Sequence, residues 1–238
     1  MSLLELERVR KRYRRGRREH VALADVSLTV GPGELVAVWG LSRSGRTTLL
    51  RVAAGLERPD AGRVRFAGRA LPGGDDALDK RIGFVETELA TTGGQRILDY
   101  VAMPLLARGV APARASARAA AELERAGACG CAELHARDLD AAELLRVAIA
   151  QALVTAPELM LVDDPTRNVD LMEREGLLAL LRAIADGGTA ILMTTGEAMG
   201  VAGVDRALTI SEGVLRAEVA QPLAPVVPLA RSAPGGPA

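Results

Sequence analysis

Residues 40–48, GLSRSGRTT, constrain this chain more than any other stretch. They carry the P-loop frame G-x-x-x-x-G-K-[ST], with Arg46 where the frame has lysine. In such a loop consecutive backbone N–H groups cradle phosphate. The lysine reaches the β/γ-phosphates and the Ser/Thr hydroxyl binds Mg²⁺. The frame needs a strand before it and a helix after it. The apolar run LVAVWG (residues 35–40) predicts a buried strand, and TTLLRVAAGL (residues 47–56) predicts a helix. The loop then sits at a helix N-terminus, where the dipole and free N–H groups favour anions.

A second segment extends this reading. PELMLVDDPTRNVD (residues 157–170) is an apolar strand ending in two acids. Asp163 is placed to hold Mg²⁺ through water, and Asp164 takes a general-base position. TAILMT (residues 189–194) predicts a second buried parallel strand. Residues 88–156 read as largely helical, with two Ala/Arg/Glu-rich stretches at 112–128 and 140–155 whose apolar spacing is near 3.6. At the N-terminus, short strands at 3–9 and 21–30 flank an arginine-rich run over 8–18. No aromatic residue beyond Tyr13 interleaves that run, so it predicts a solvated hairpin rather than a nucleic-acid patch.

Lys+Arg and Asp+Glu are both 30, so no net field points to nucleic acid, and none is expected as a partner. Only Lys11 and Lys80 are lysines, so arginine replaces lysine generally in this chain. No apolar run reaches the roughly 18 residues that span a bilayer. The early charges argue against a secretory signal, so the expectation is a cytosolic chain. From Gln221 the sequence QPLAPVVPLARSAPGGPA is Pro-rich and predicts a disordered tail over 221–238. Residues 1–220 then form one α/β domain with a helical insert at about 88–156. Cys129 and Cys131 form a C-x-C with only His135 nearby, too few ligands for a metal site, and read as reduced surface thiols. His20 and His135 read as surface or loop residues.

Over about residues 3–216 the chain resembles the nucleotide-binding subunits of ABC transporters, in the branch serving lipoprotein-release and macrolide-export type permeases. The matching blocks are ALADVSLTVGPGELVAVWG, RIGFV, ILDYVAMPLLARGV and LLRVAIAQALVTAPELMLVDDPTRNVD. The resemblance implies an α/β fold: a P-loop NTPase, RecA-like core with an N-terminal antiparallel strand subdomain and an inserted helical subdomain. It implies ATP and Mg²⁺ as cofactors, with Gly40, Ser42, Ser44, Gly45, Arg46, Thr47 and Thr48 around the phosphates. Thr47 and Asp163 would serve the metal, and Tyr13 would stack on adenine. It also implies a head-to-tail dimer, as a homodimer or with an intact sister ATP-binding subunit. An integral-membrane permease would be the partner, with this chain peripheral on the inner face of the plasma membrane.

Against that pattern the chain departs at several positions. Arg46 replaces the loop lysine, and a forked guanidinium is not a compact point charge. Arg43 replaces an inner glycine. The signature position reads Leu139, Asp140, Ala141, Ala142, Glu143, with a carboxylate where a serine meets the opposite site's γ-phosphate. Thr87 holds the Q-loop position. Asp164 replaces the catalytic glutamate, one methylene short. The switch histidine's position is Gly196 or, one residue earlier, Thr195, and no histidine follows His135. Asn168 and Asp170 keep the dimer-contact loop. These departures imply impaired nucleotide binding and weak or absent hydrolysis.

Overall fold

The computed structural model describes residues 2–16, 18–74, 79–86, 94–197 and 203–216. Thr87 and the whole 221–238 tail lie outside the described residues. In chain order the strands and helices are β1 (Leu4–Arg15), β2 (Arg18–Val30), β3 (Leu35–Trp39), α1 (Arg46–Ala53), β4 (Ala61–Phe66), β5 (Arg69–Ala70) and β6 (Ile82–Val85). Next come α2 (Ile97–Leu106), α3 (Pro112–Arg125), α4 (Ala141–Leu153), β7 (Leu159–Asp163), α5 (Leu171–Asp186), β8 (Ala190–Thr195), β9 (Arg206–Ser211) and β10 (Val214–Arg216).

Strand chemistry sorts these strands into two sheets. In β3, β7 and β8 nearly every residue is buried, as in parallel strands covered on both faces. They form the centre of a sheet of order β10-β9-β3-β8-β7-β6, parallel except for the edge strand β10. In β1 and β2 buried and exposed residues interchange, and these strands join an antiparallel sheet of order β2-β1-β4-β5. The arginine-rich run is the far half of the β1–β2 hairpin, as expected of a solvated ribbon. The ladder continues out to Arg15↔Arg18, so both strands are longer than the sequence spacing gave.

Side chains alternate across each strand and so feed two cores. Val36, Val38, Leu159, Leu161 and Leu192 face α1 and the antiparallel sheet, meeting Leu49, Leu50, Leu4, Leu6 and Leu28. Leu35, Ala37, Met160, Val162, Ile191 and Met193 face α4 and α5, meeting Leu145, Ile149, Leu177 and Leu181. A third cluster joins α2, α3 and α4 through Ile97, Tyr100, Val101, Leu123, Val147 and Val154. Helix α4 therefore buries two faces, one on the sheet and one on the helical layer. On α3, Ala115, Ala119 and Leu123 are buried at four-residue spacing, matching the predicted period.

The three central parallel strands end side by side. In register, Asp163 lies opposite Thr194, and Trp39 opposite Thr195. The segments that follow these ends, 40–45, 164–168 and 196–197, converge on one spot. In doubly wound sheets that edge is where ligands bind.

Candidate functional site

The turn from β3 into α1 is set by two glycines. A Cβ on Gly40 would fall 2.5 Å from the Ile210 carbonyl oxygen, and one on Gly45 would fall 2.2 Å from that of Ala22. Gly45 caps α1 at φ 106, a left-handed conformation that glycine alone adopts cheaply. The turn is tied down by Gly40 N–H to Thr195 O at 3.1 Å, Ser44 N–H to Leu41 O at 3.2 Å and Gly213 N–H to Ser44 O at 3.0 Å. Ser44 is buried, and its Oγ finds no hydrogen-bond partner among the described residues. Arg43 sits at φ 66, so the residue replacing the expected inner glycine is held left-handed.

A cavity of about 300 Å³ opens over this turn. Tyr13, Ser42, Ser44, Gly45, Arg46, Thr47, Thr48, Asp163 and Asp164 all line it, so residues from β1, the loop, α1 and the end of β7 are brought together. Gly196 joins them through its backbone. The signature-position residues Leu139 to Glu143 do not line this cavity. Asp140 there is the N-cap of α4: its Oδ1 accepts from Glu143 N–H at 2.8 Å, and Glu143 Oε2 accepts from Asp140 N–H at 3.0 Å. The D-x-x-E string is thus a reciprocal capping box.

The centre of the site is an ion pair. Arg46 Nη1 donates to Asp164 Oδ2 at 3.1 Å, with the two side chains 14% and 15% exposed. Asp164 Oδ1 accepts the Gly196 N–H at 3.1 Å. Asp164 is further held by its own N–H, which donates to Thr194 O at 3.0 Å, and by φ 50. Gly196 leaves room for the guanidinium: a Cβ there would lie 3.2 and 3.3 Å from Arg46 Nη2 and Nη1. Beside this pair, Thr194 Oγ1 donates to Asp163 Oδ1 at 2.5 Å.

Tyr13 forms the outer wall. Its hydroxyl donates to Glu57 and lies 3.4 Å from Thr48 Oγ1, and Lys11 Nζ sits 5.6 Å from its ring centroid. Burial, and then the Glu57 hydrogen bond, push its phenol pKa up. The hydroxyl therefore stays protonated as a donor.

His20 is exposed, as expected of a surface residue, and it also pairs with Tyr13 across the hairpin and lines the cavity. The hairpin register places it there. One expectation from the sequence requires correction. Cys131 is not a surface thiol. It is 4% exposed and packs in the α2–α3–α4 core, while Cys129 is exposed. Burial pushes the Cys131 thiol pKa up. Arg167, which also lines the cavity, was given no role from the sequence. Its N–H donates to Asp164 O at 3.0 Å, closing the turn after β7.

A parallel sheet with a glycine-bounded loop opening a helix, and two acids ending a neighbouring strand, defines a P-loop nucleotide-binding fold. Comparison with known proteins narrows the class. A family profile described as ABC transporter matches residues 23–167. The chain is 39% identical over 219 residues to the lipoprotein-releasing system ATP-binding protein LolD of Chromohalobacter salexigens, covering 90% of this chain and 92% of that protein. It is 36% identical over 221 residues to the LolD of Shewanella sp. (strain MR-4), covering 90% and 96%. The fold is similar to the dimeric structure of the ATP-binding cassette MJ0796 in a post-hydrolysis state bound to ADP and Pi. That likeness has a TM-score of 0.83 and 27% identity over 90% of this chain and 97% of the other. The chain belongs to the ABC transporter family, as an ATP-binding domain, and its similarity supports the lipoprotein-release branch.

Proposed function

We propose that this chain is the ATP-binding subunit of an ABC transporter and couples nucleotide binding to a membrane permease, with weak or no hydrolysis. One observation carries the second half of this reading: the carboxylate at the general-base position is neutralised and held by Arg46 and the Gly196 amide. A carboxylate so engaged is poorly placed to take a proton from an attacking water. Removing one transition-state stabiliser typically costs about 10²–10³-fold in rate.

The residues present fit a phosphate ligand. The loop backbone opens α1, Ser44 Oγ is an unpartnered buried hydroxyl, and Thr47 and Thr48 add hydroxyls. Thr47 and Asp163 supply the hard oxygen donors that suit Mg²⁺. When bound, the metal would offset phosphate charge. Tyr13, fixed by Glu57 and Thr48, offers a half-exposed ring to adenine.

The relatives' name, lipoprotein-releasing system ATP-binding protein, points to a permease of that type as the partner. Among the described residues no helix is long and apolar enough to cross a membrane, so the membrane association of this reading runs through the permease, on the cytoplasmic face. Dimeric cassette structures support pairing, either with a second copy or with an intact sister subunit. A sister would bring its own loop against the Asp140-capped end of α4.

The ion pair also favours a second reading, a pseudo-ATPase kept for its contacts. Calorimetry with Mg²⁺ and ATP, with phosphate release followed in the same sample, separates the two. Micromolar binding, with turnover at least about 10²-fold below the roughly 10 s⁻¹ median of enzymes, supports the ATP-binding subunit. No binding at millimolar ATP supports the pseudo-ATPase, and turnover near the median refutes both.

A further inference from the structure

We propose that the Arg46–Asp164 pair makes this site select a nucleoside diphosphate over a triphosphate. The inference rests on the nucleotide-binding reading above and assigns its ligand class.

Asp164 cannot follow Arg46. Its backbone is fixed at φ 50, its N–H is bonded to Thr194 O, and its Oδ1 holds the Gly196 N–H. Arg46 is equally confined. It is the first residue of α1, and its guanidinium is 14% exposed. A terminal phosphoryl group in a P-loop lies between the loop's basic residue and the general-base position. Here that space lies between two groups already bonded to each other at 3.1 Å.

A diphosphate meets a smaller obstacle. Its terminal phosphate rests on the loop amides at the α1 N-terminus. A guanidinium has five N–H donors, so Arg46 can serve it while keeping Asp164. A triphosphate adds one phosphoryl group and about one negative charge. It must either draw Arg46 from Asp164 or sit against an anion. Drawing Arg46 away leaves a carboxylate 15% exposed and without its cation, the costly half of breaking a buried pair. Both routes penalise the third phosphate and not the first two.

The test is calorimetric titration of the full chain with ADP and with ATP in EDTA, where no Mg²⁺-dependent turnover occurs, for wild type and Asp164→Asn. The asparagine oxygen can still accept from Gly196 N–H, and the charge is gone. Wild type is expected to bind ADP at least about tenfold more tightly than ATP. Asp164→Asn is expected to tighten ATP about tenfold or more and ADP by less than about threefold. ATP binding wild type as tightly as ADP would overturn the inference, and this arm needs no variant. An equal gain for both nucleotides in Asp164→Asn would also overturn it while leaving nucleotide binding intact. No binding of either nucleotide to either protein at millimolar concentration would remove the underlying reading, and the inference with it. Thermal shift with each nucleotide gives the same ranking as a second readout: ADP raises the wild-type midpoint more than ATP at equal concentration.

Discussion

The Arg46–Asp164 contact predicts a measurable coupling energy. At 3.1 Å, in an effective dielectric near 20, the two charges attract by about 5 kcal/mol. Desolvating both side chains, each about one-seventh exposed, cancels more than half of that and leaves roughly 2 kcal/mol. Arg46→Ala leaves the Asp164 carboxylate, among the described residues, with the Gly196 N–H alone, so the single change should cost about 2–3 kcal/mol. Asp164→Ala strands the guanidinium and should cost a similar amount. The double variant should cost about 2 kcal/mol less than the sum. Urea unfolding of the four proteins, followed by circular dichroism, reads this directly. Each kcal/mol corresponds to about 2–4 °C of melting midpoint in a domain of this size. The pair is shielded from solvent, so raising the salt tenfold should change the coupling little. Costs that add to within about 0.5 kcal/mol would show that the two groups do not interact.

Four further outcomes follow from single contacts. Gly196→Ala places a Cβ against the Arg46 guanidinium. It should destabilise wild type by about 1 kcal/mol and stabilise Arg46→Ala by about 0.5–1 kcal/mol; equal effects in both backgrounds on denaturant titration would refute the contact. Gly45→Ala, with its Cβ 2.2 Å from the Ala22 oxygen at φ 106, should cost more than about 3 kcal/mol, and a near-wild-type melt would contradict the loop geometry. Asp140→Ala removes the α4 N-cap and should cost about 1 kcal/mol, while Asp140→Ser stays within about 0.5 kcal/mol; a neutral alanine variant in urea would rule out the cap. For Asp205, burial raises the pKa, but the Leu35 N–H and Arg182 outweigh it and hold the carboxyl below its usual value. A depressed folded pKa gives stability that is present above the unfolded value of about 3.9 and is lost as pH falls through the folded value. Melts across that acid window should therefore show a shallower loss for Asp205→Asn than for wild type, and identical slopes would exclude this pair.

The framework was legible because its signals are local. The β3–loop–α1 unit, β7 and β8 show as uninterrupted apolar runs with a glycine-bounded turn or a terminal acid. The Ala115, Ala119, Leu123 spacing marks α3. What escaped was set by distance along the chain or by register. Arg46 and Asp164 are 118 residues apart, and no period links them, so each read as a separate loss. His20 needed the hairpin register before it could be placed opposite Tyr13. Cys131 looked exposed because GACGCAE is polar and glycine-rich. Its short 3₁₀ turn instead packs on α3, and that packing buries the thiol. Asp140 was legible in principle, since Asp-Ala-Ala-Glu before an apolar run is a capping-box string.

Three residues of this site form one physical unit. Asp164 is a methylene shorter than glutamate, Arg46 is longer and more forked than lysine, and Gly196 offers no side chain. Together they place a guanidinium against a carboxylate at 3.1 Å, in space that a Cβ at 196 would crowd. Random decay would leave unmatched charges, which are expensive when shielded from water. Here the charges are matched, hydrogen-bonded and sterically accommodated. Lysine at 46 would keep the positive charge but lose the fork that reaches Asp164. Glutamate at 164 alone would push into the guanidinium, and a side chain at 196 alone would crowd it. The three residues are therefore one packed, charge-matched unit, and a change at any one of them disturbs the other two.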